Sequence, residues 1–190
     1  KKSETIFGLN FAKSSGKDEL ILVEGYMDVI TLHQSGFTNA VACCGTALTA
    51  QQTNIMSRYA HTVMLCYDND EAGHKATDAA IQRFSQSAAD IRIIMMEGAK
   101  DSDELIKTAG PERFRTLMGT SVNATEYELL KLKKRFNISA DDGKNSYLEA
   151  ASSVIAGIDS PIERDIYAAR LANDFWVDKS AIMNRADFIR

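Results

Sequence analysis

With 190 residues, 45% of them hydrophobic, 25% charged and only two prolines, the chain is long enough for one or two compact domains with a buried core. A net charge of −4 excludes a uniformly basic nucleic-acid surface, so contact with a phosphate backbone needs a local basic patch, a neighbouring domain or bound divalent cations. No apolar run approaches the roughly 20 residues of a membrane span, and no signal-peptide pattern opens the chain.

The chain begins Lys1-Lys2 without an initiating Met, as a piece of a longer polypeptide would. From there, strand and helix signals alternate. ELILV (19–23) is a short apolar run, followed by EGYMDVITLHQSG, where Met27, Ile30 and Leu32 suit a helix ending at Gly36. AVACC (40–44) is a second run, closed by Gly45. Thr49 and Gln52 then form a T-x-x-Q capping box that opens a helix through about Tyr59. TVMLCY (62–67) is a third strand. The helix after it carries Ala72, Ala76, Ala80 and Phe84 at four-residue spacing, a stripe for packing on a sheet. IRIIMM (91–96) is a fourth strand, and DSDELIKTAG reads as a loop running into a short helix.

Continuous apolar strands separated by helices predict an α/β fold with a mainly parallel sheet flanked by helices. After about residue 120 the character changes. ATEYELLKLKKRFNI, KNSYLEAASSVIAGI, SPIERDIYAARLANDF and DKSAIMNRADFI are helical stretches with no strand between them, a small all-α helical bundle. Ser160 before Pro161 is a cap with a first-turn proline. Ile162, Ile166, Ala169 and Phe175 lie on one side of that helix, and Trp176 reads as a core anchor of the bundle.

Acidic residues follow three of the four strands: Glu24 after the first, Asp68 and Asp70 after the third, Asp101 and Asp103 after the fourth. In a parallel sheet these carboxylates gather at one edge, where α/β folds bind ligands. Two carboxylates about 5 Å apart repel by roughly 3 kcal/mol at an effective dielectric near 20. A divalent cation relieves that repulsion, and oxygen-only ligands favour Mg²⁺ or Mn²⁺ over zinc. Any single aspartate here serves equally as a helix cap, Asp70 above all.

LVEGYMDVITLHQSGFTNAVACCGTALT followed by YDNDEAGHKA resembles the Toprim domain of bacterial-type (DnaG-like) DNA primases. FGLNFAK, VEGYMDV, GTALT and DNDEAG stand in the family's order and spacing. The resemblance covers essentially the whole chain. It divides the chain into the end of the preceding core segment (1–13), a Toprim metal-binding domain (14–120) and a helical subdomain (121–190). It implies DNA-templated synthesis of short RNA primers by two-metal nucleotidyl transfer. The implied partners are ribonucleoside triphosphates, a single-stranded DNA template, the RNA primer, and a replicative helicase reached through a domain absent from this chain. No membrane partner is implied. Glu24 matches the family's glutamate, as a metal ligand or acid–base group, and Asp68 and Asp70 match its D-x-D metal ligands. Asp28 matches a further acidic catalytic residue, and Lys2 a basic position near the nucleotide. Gly25 and Gly73 would let backbone approach metal or nucleotide, or serve a turn. The family usually reads Gly-Lys-Asp-Pro-Asp-Glu after the fourth strand. Here GAKDSDE inserts Ala99 and puts Ser102 in place of proline, which weakens the assignment of Asp101 and Asp103 to the metal.

The remaining features read as structural. His33, His61 and His74 are scattered surface or helix residues, and KLKKRF (131–136) is a solvated basic helix face. Cys43, Cys44 and Cys66 form no C-x-x-C pair and read as buried reduced thiols of a cytoplasmic protein, with no zinc site. Two other classes share an acidic strand edge. A Toprim topoisomerase or nuclease is one, although a topoisomerase would need a nucleophilic tyrosine with its own domain. A Mg²⁺-dependent receiver-type signalling module is the other. Lys100 is its sole candidate lysine, and the helical tail would stand unexplained.

Overall fold

The computed structural model describes residues 2–43 and 47–190, the side chain of Lys2 excepted. Cys44, Gly45 and Thr46, and the Lys2 side chain assigned to the nucleotide, therefore lie outside the described residues. The chain forms two compact units, Lys1–Ala124 and Thr125–Arg190.

In the first unit a turn of 3-10 helix (Lys2–Glu4) and α1 (Leu9–Ser14) precede β1 (Glu19–Val23), α2 (Tyr26–Gln34), β2 (Ala40–Ala42) and α3 (Ala50–Tyr59). β3 (Thr62–Cys66), α4 (Glu71–Phe84), β4 (Asp90–Ile93) and α5 (Ser102–Gly119) complete it. Among the described residues the four strands run parallel in the order β2-β1-β3-β4. In β1, Leu20 to Val23 are all buried, which is why the strand reads as an unbroken apolar run. Alternation divides those side chains between two faces. Ile21 and Val23 join Val29 and Leu32 of α2 with Leu105, Phe114 and Leu117 of α5 in one core. Leu20, Leu22, Val63 and Leu65 point the other way, where α3 and α4 supply Met56, Ala80 and Phe84.

Local chemistry fixes the joints. The capping box forms as the sequence requires, with Gln52 N–H donating to Thr49 Oγ1 at 3.1 Å and Thr49 N–H to Gln52 Oε1 at 3.0 Å. The same two side chains donate to Ser3 O (2.7 Å) and Thr5 O (2.9 Å), tying the amino-terminal segment to α3. Phe7 adds a short antiparallel bridge to Ala42 at the free edge of β2. Gly36, at φ 90°, ends α2 as predicted.

Several faces differ from the sequence expectation. On α2 the buried residues are Val29 and Leu32, whereas Met27 and Ile30 are exposed. On α4 the buried residues are Gly73, Thr77, Ala80 and Phe84: Ala80 and Phe84 face inward as expected, whereas Ala72 is exposed and Ala76 half-buried. DSDELIKTAG, expected as a loop running into a short helix, is helical from Ser102, and α5 continues to Gly119, broken at Gly110 (φ 79°) ahead of Pro111. Its second half carries Phe114, whose ring lies edge-on to Phe37 with centroids 4.9 Å apart.

The second unit is all helical: α6 (Ala124–Lys133), α7 (Asp141–Ala156), α8 (Pro161–Phe175) and α9 (Lys179–Ile189). Its core holds Leu129, Tyr147, Ile155, Tyr167, Leu171, Phe175 and Ile182. Ser160 caps α8 by accepting from Glu163 N–H at 3.2 Å, with Pro161 in the first turn. Two expectations fail here. Ile162 and Ile166 are exposed, because α8 turns Tyr167, Ala168 and Leu171 inward. Trp176 is 94% exposed, since it ends α8 in the left-handed region at φ 56° and its side chain leaves the core that Phe175 enters. The basic cluster is partly engaged: Lys131 pairs with Glu128, and the Lys133 ammonium lies over the Phe175 ring.

Candidate functional site

The order β2-β1-β3 means that the chain leaves β1 toward one side of the sheet and returns on the other. The crevice beyond the carboxyl ends of β1 and β3 is therefore the topological switch point, where open α/β sheets bind ligands. Val23 pairs with Cys66 at the last register position. Glu24 and Asp68 follow immediately, and they meet: Asp68 N–H donates to Glu24 Oε1 at 3.2 Å. Two residues 44 apart in sequence are thus joined by strand pairing alone.

α4 begins hard against this junction. Asp70 caps it, accepting from Gly73 N–H at 2.9 Å. A Cβ at Gly73 would stand 2.0 Å from the Asp68 carbonyl oxygen, so only glycine lets the helix start so close to the Asp68 backbone. Close approach, and not a positive φ, is what Gly73 provides. At Gly25 the backbone is ordinary (φ −112°), and a Cβ would meet Asp28 Oδ2 at 3.0 Å. Asp28 therefore leans back over Gly25 from the first turn of α2.

The loop after β4 closes the other side. Asn69 N–H donates to Lys100 O at 2.7 Å, and Asn69 Nδ2 donates to Met96 O at 2.9 Å. Ser102 Oγ donates to Asp28 Oδ1 at 2.9 Å. Asp101 caps α5 through Glu104 N–H at 2.7 Å. The loop with the inserted Ala99 is thereby tied to both β3 and α2. Sequence reasoning passed over Asn69 and saw in Ser102 only a replaced proline, because an asparagine in a turn and a serine at a helix start are generic signals.

Asp103 goes elsewhere. It accepts from Thr31 Oγ1 and from the Lys107 ammonium, each at 2.5 Å, and these hold its carboxyl below the usual range. It links α2 to α5 and is spoken for by a cation, unlike its companions. Among the described residues no ion pair reaches Glu24, Asp28, Asp68, Asp70 or Asp101. Burial first, then the charges of Glu24, Asp28 and Asp101, push Asp68 up from 3.8 to about 6, with Lys100 easing it only in part. Like charge therefore converges on Asp68 from three elements. Among the described residues, no three acidic, histidine or cysteine side chains stand close enough to hold a metal ion as they are placed. The donors are nevertheless all carboxylate oxygens, the type that suits hard divalent cations. Beside them Cys43 and Cys66 are buried and in no disulfide, and burial raises the Cys66 thiol, so Cys66 is not an available thiolate.

Comparison with known proteins follows the same division. Residues 21–106 match the Toprim-like family, and residues 125–180 match the DnaB-helicase binding domain of primase. The second match puts a helicase-binding family inside this chain, where the sequence had suggested a helicase-binding domain beyond it. A DNA primase of Clostridium acetobutylicum is 36% identical over 96% of the chain, and one of Campylobacter jejuni 32% over 96%. The chain spans about 30% of the length of each of these relatives. Among solved structures, the RNA polymerase domain of Mycobacterium tuberculosis primase DnaG, in complex with double-stranded DNA, superposes with a TM-score of 0.78 at 26% identity. That match covers 94% of this chain and 58% of the other. Aquifex aeolicus primase gives 0.67 at 30% identity, covering 96% and 44%. The two family matches and the likeness to these primases place this chain in the bacterial-type, DnaG-like DNA primase family.

Proposed function

We propose that this chain is the metal- and nucleotide-binding part of a primase that joins ribonucleotides into short RNA primers on single-stranded DNA. The observation that carries the reading is the convergence of Glu24 and Asp68 at the switch point, with Asp28 and Asp101 adding negative charge and no cation paired to any of them among the described residues. A site that accumulates repulsion at one crevice is suited to a ligand that brings positive charge.

Glu24, Asp68 and Asp70 are the residues that would hold Mg²⁺ or Mn²⁺, with Asp101 at the margin and Asp103 withdrawn by Lys107. A divalent ion supplies charge neutralisation for nucleotide phosphates and acidifies an attacking 3′-hydroxyl. The chain's own contribution is positioning, which is most of what phosphoryl transfer asks of a protein. The Asp68 N–H fixes one Glu24 oxygen. Gly73 lets α4 start against the Asp68 backbone, with Asp70 as its cap. Ser102 holds Asp28 by one oxygen, and the other lies over Gly25. Asp28 is the acid–base candidate. The buried thiols Cys43 and Cys66 fit work in a reducing cytoplasm. The family matched by residues 125–180 supports contact between the second unit and a replicative helicase.

Isothermal calorimetry tests the reading. Mn²⁺ should bind the chain in the micromolar-to-millimolar range, and Asp68→Asn and Glu24→Gln should each weaken it at least tenfold. Equal affinity in all three proteins removes the switch point from the function.

A further inference from the structure

We infer that Ser102 is a positioning residue for Asp28, an assignment that rests on the acid–base part given to Asp28 above and names what aims it. Asp28 is the third residue of α2, behind Gly25, which has no side chain to cap the helix. A carboxylate at that position ordinarily turns back to the unpaired N–H groups of its own first turn. Here one oxygen is drawn across to another helix: Ser102 Oγ donates to Asp28 Oδ1 at 2.9 Å, over 74 positions of sequence. Ser102 is only 2% exposed, so the donor is itself packed in place. With Oδ1 held there and Oδ2 over Gly25, the Asp28 side chain has one orientation.

Proline, the usual residue of the family at this place, has no donor to offer. The bond to Asp28 therefore belongs to this chain's own loop, which is longer by Ala99 and has serine instead. The next residue makes a second bond between the same helices, where Asp103 accepts from Thr31 Oγ1. Asp28 and Thr31 are three apart and share a face of α2, so two adjacent residues of α5 grip two neighbouring side chains. The two grips differ in kind. Asp103 is neutralised by Lys107, whereas no ion pair reaches Asp28 among the described residues. Without the Ser102 hydroxyl, α5 stays fastened to α2 through Thr31 and Asp103 and through Leu32, Leu105 and Phe114 in the core. What is released is the Asp28 carboxyl, free to swing back to its own helix terminus.

The test pairs Ser102→Ala with Thr31→Val, which cuts the neighbouring bond between the same helices. A catalytic group misplaced by about 1 Å costs up to about a hundredfold in rate. In the intact primase, Ser102→Ala should therefore lower kcat for primer synthesis by about tenfold or more, with KM for ribonucleotides held within about twofold. Thr31→Val should leave both unchanged. In the chain itself, free of metal and nucleotide, the ¹³C resonance of the Asp28 carboxyl, assigned by its loss in Asp28→Asn, should move in Ser102→Ala and stay in Thr31→Val. Equal losses of kcat in the two variants reduce Ser102 to a structural tie and overturn the assignment. So does a Ser102→Ala protein with unaltered kcat or an unmoved Asp28 signal. Failure of the unsubstituted chain to bind Mn²⁺ overturns the function proposed above instead, and the carboxyl signal then decides alone whether Ser102 orients Asp28.

Discussion

Replacing Gly73 by alanine sets two effects of opposite sign against each other. Alanine in a helix interior is ordinarily favoured over glycine by about 1 kcal/mol. Here the added Cβ would stand 2.0 Å from the Asp68 carbonyl oxygen and 2.7 Å from its carbon, about 1 Å closer than real contacts allow. The obstacle is backbone on both sides, so α4 must move away from the β3–α4 junction or the junction must deform. Overpacking of this kind costs about 1–3 kcal/mol or more. The clash therefore outweighs propensity, and Gly73→Ala should lower the thermal midpoint by several degrees. It should also weaken Mn²⁺, because the displaced elements carry Asp68 and Asp70. Gly143→Ala is the control: its Cβ would stand 2.1 Å from Asn137 O in the helical unit, so it should destabilise that unit without touching Mn²⁺ affinity at a temperature where the chain is folded. A Gly73→Ala protein as stable as the unsubstituted chain, with unchanged Mn²⁺ binding, would refute the reasoning.

Three further outcomes follow from the same contacts. Asp68 holds its proton in the folded chain up to about pH 6, whereas unfolded it ionises near 3.8, so its share of stability declines as pH rises between those values. Since metal needs the carboxylate, Mn²⁺ affinity should climb about tenfold per unit from pH 5 to 6 and level off above, and calorimetry at pH 5, 6 and 7 on Asp68→Asn should show no such climb. Asn69→Ala removes the Nδ2 bond to Met96 O, costing about 0.5–1.5 kcal/mol by urea unfolding, and should loosen Mn²⁺ severalfold. Wild-type affinity in that variant would leave Asn69 with no part in positioning. Phe114→Ala empties a fully buried site against Phe37, and a loss of about 3–5 kcal/mol is expected; a loss below 1 kcal/mol would contradict the placement of the second half of α5 in the core.

The sheet was legible because β1 and β3 are buried on both faces and so write themselves as unbroken apolar runs, and because the Thr49–Gln52 box is a purely local device. Helix faces were less so. Met27 and Ile30 are as apolar as Val29, and in a nine-residue helix composition does not say which side meets the sheet. Trp176 was misplaced because size suggests burial, while its position one residue beyond α8 turns it outward. At the site, Glu24 and Asp68 could be brought together on paper by parallel pairing. The Asp101 cap and the Asp103–Lys107 pair are local to α5, whereas the bonds from Thr31 to Asp103 and from Ser102 to Asp28 depend on contacts between α2 and α5, which no local pattern announces. Asp70 has the capping role that the sequence left open.

The most direct measurement is the position of a bound ion. Crystals of this chain soaked in Mn²⁺ should give an anomalous peak at coordination distance, about 2.0–2.5 Å, from carboxylate oxygens of Glu24 and of Asp68 or Asp70. A peak on other side chains, or none at a concentration that saturates binding in solution, would contradict the claim that the switch point between β1 and β3 is where this primase segment holds its metal.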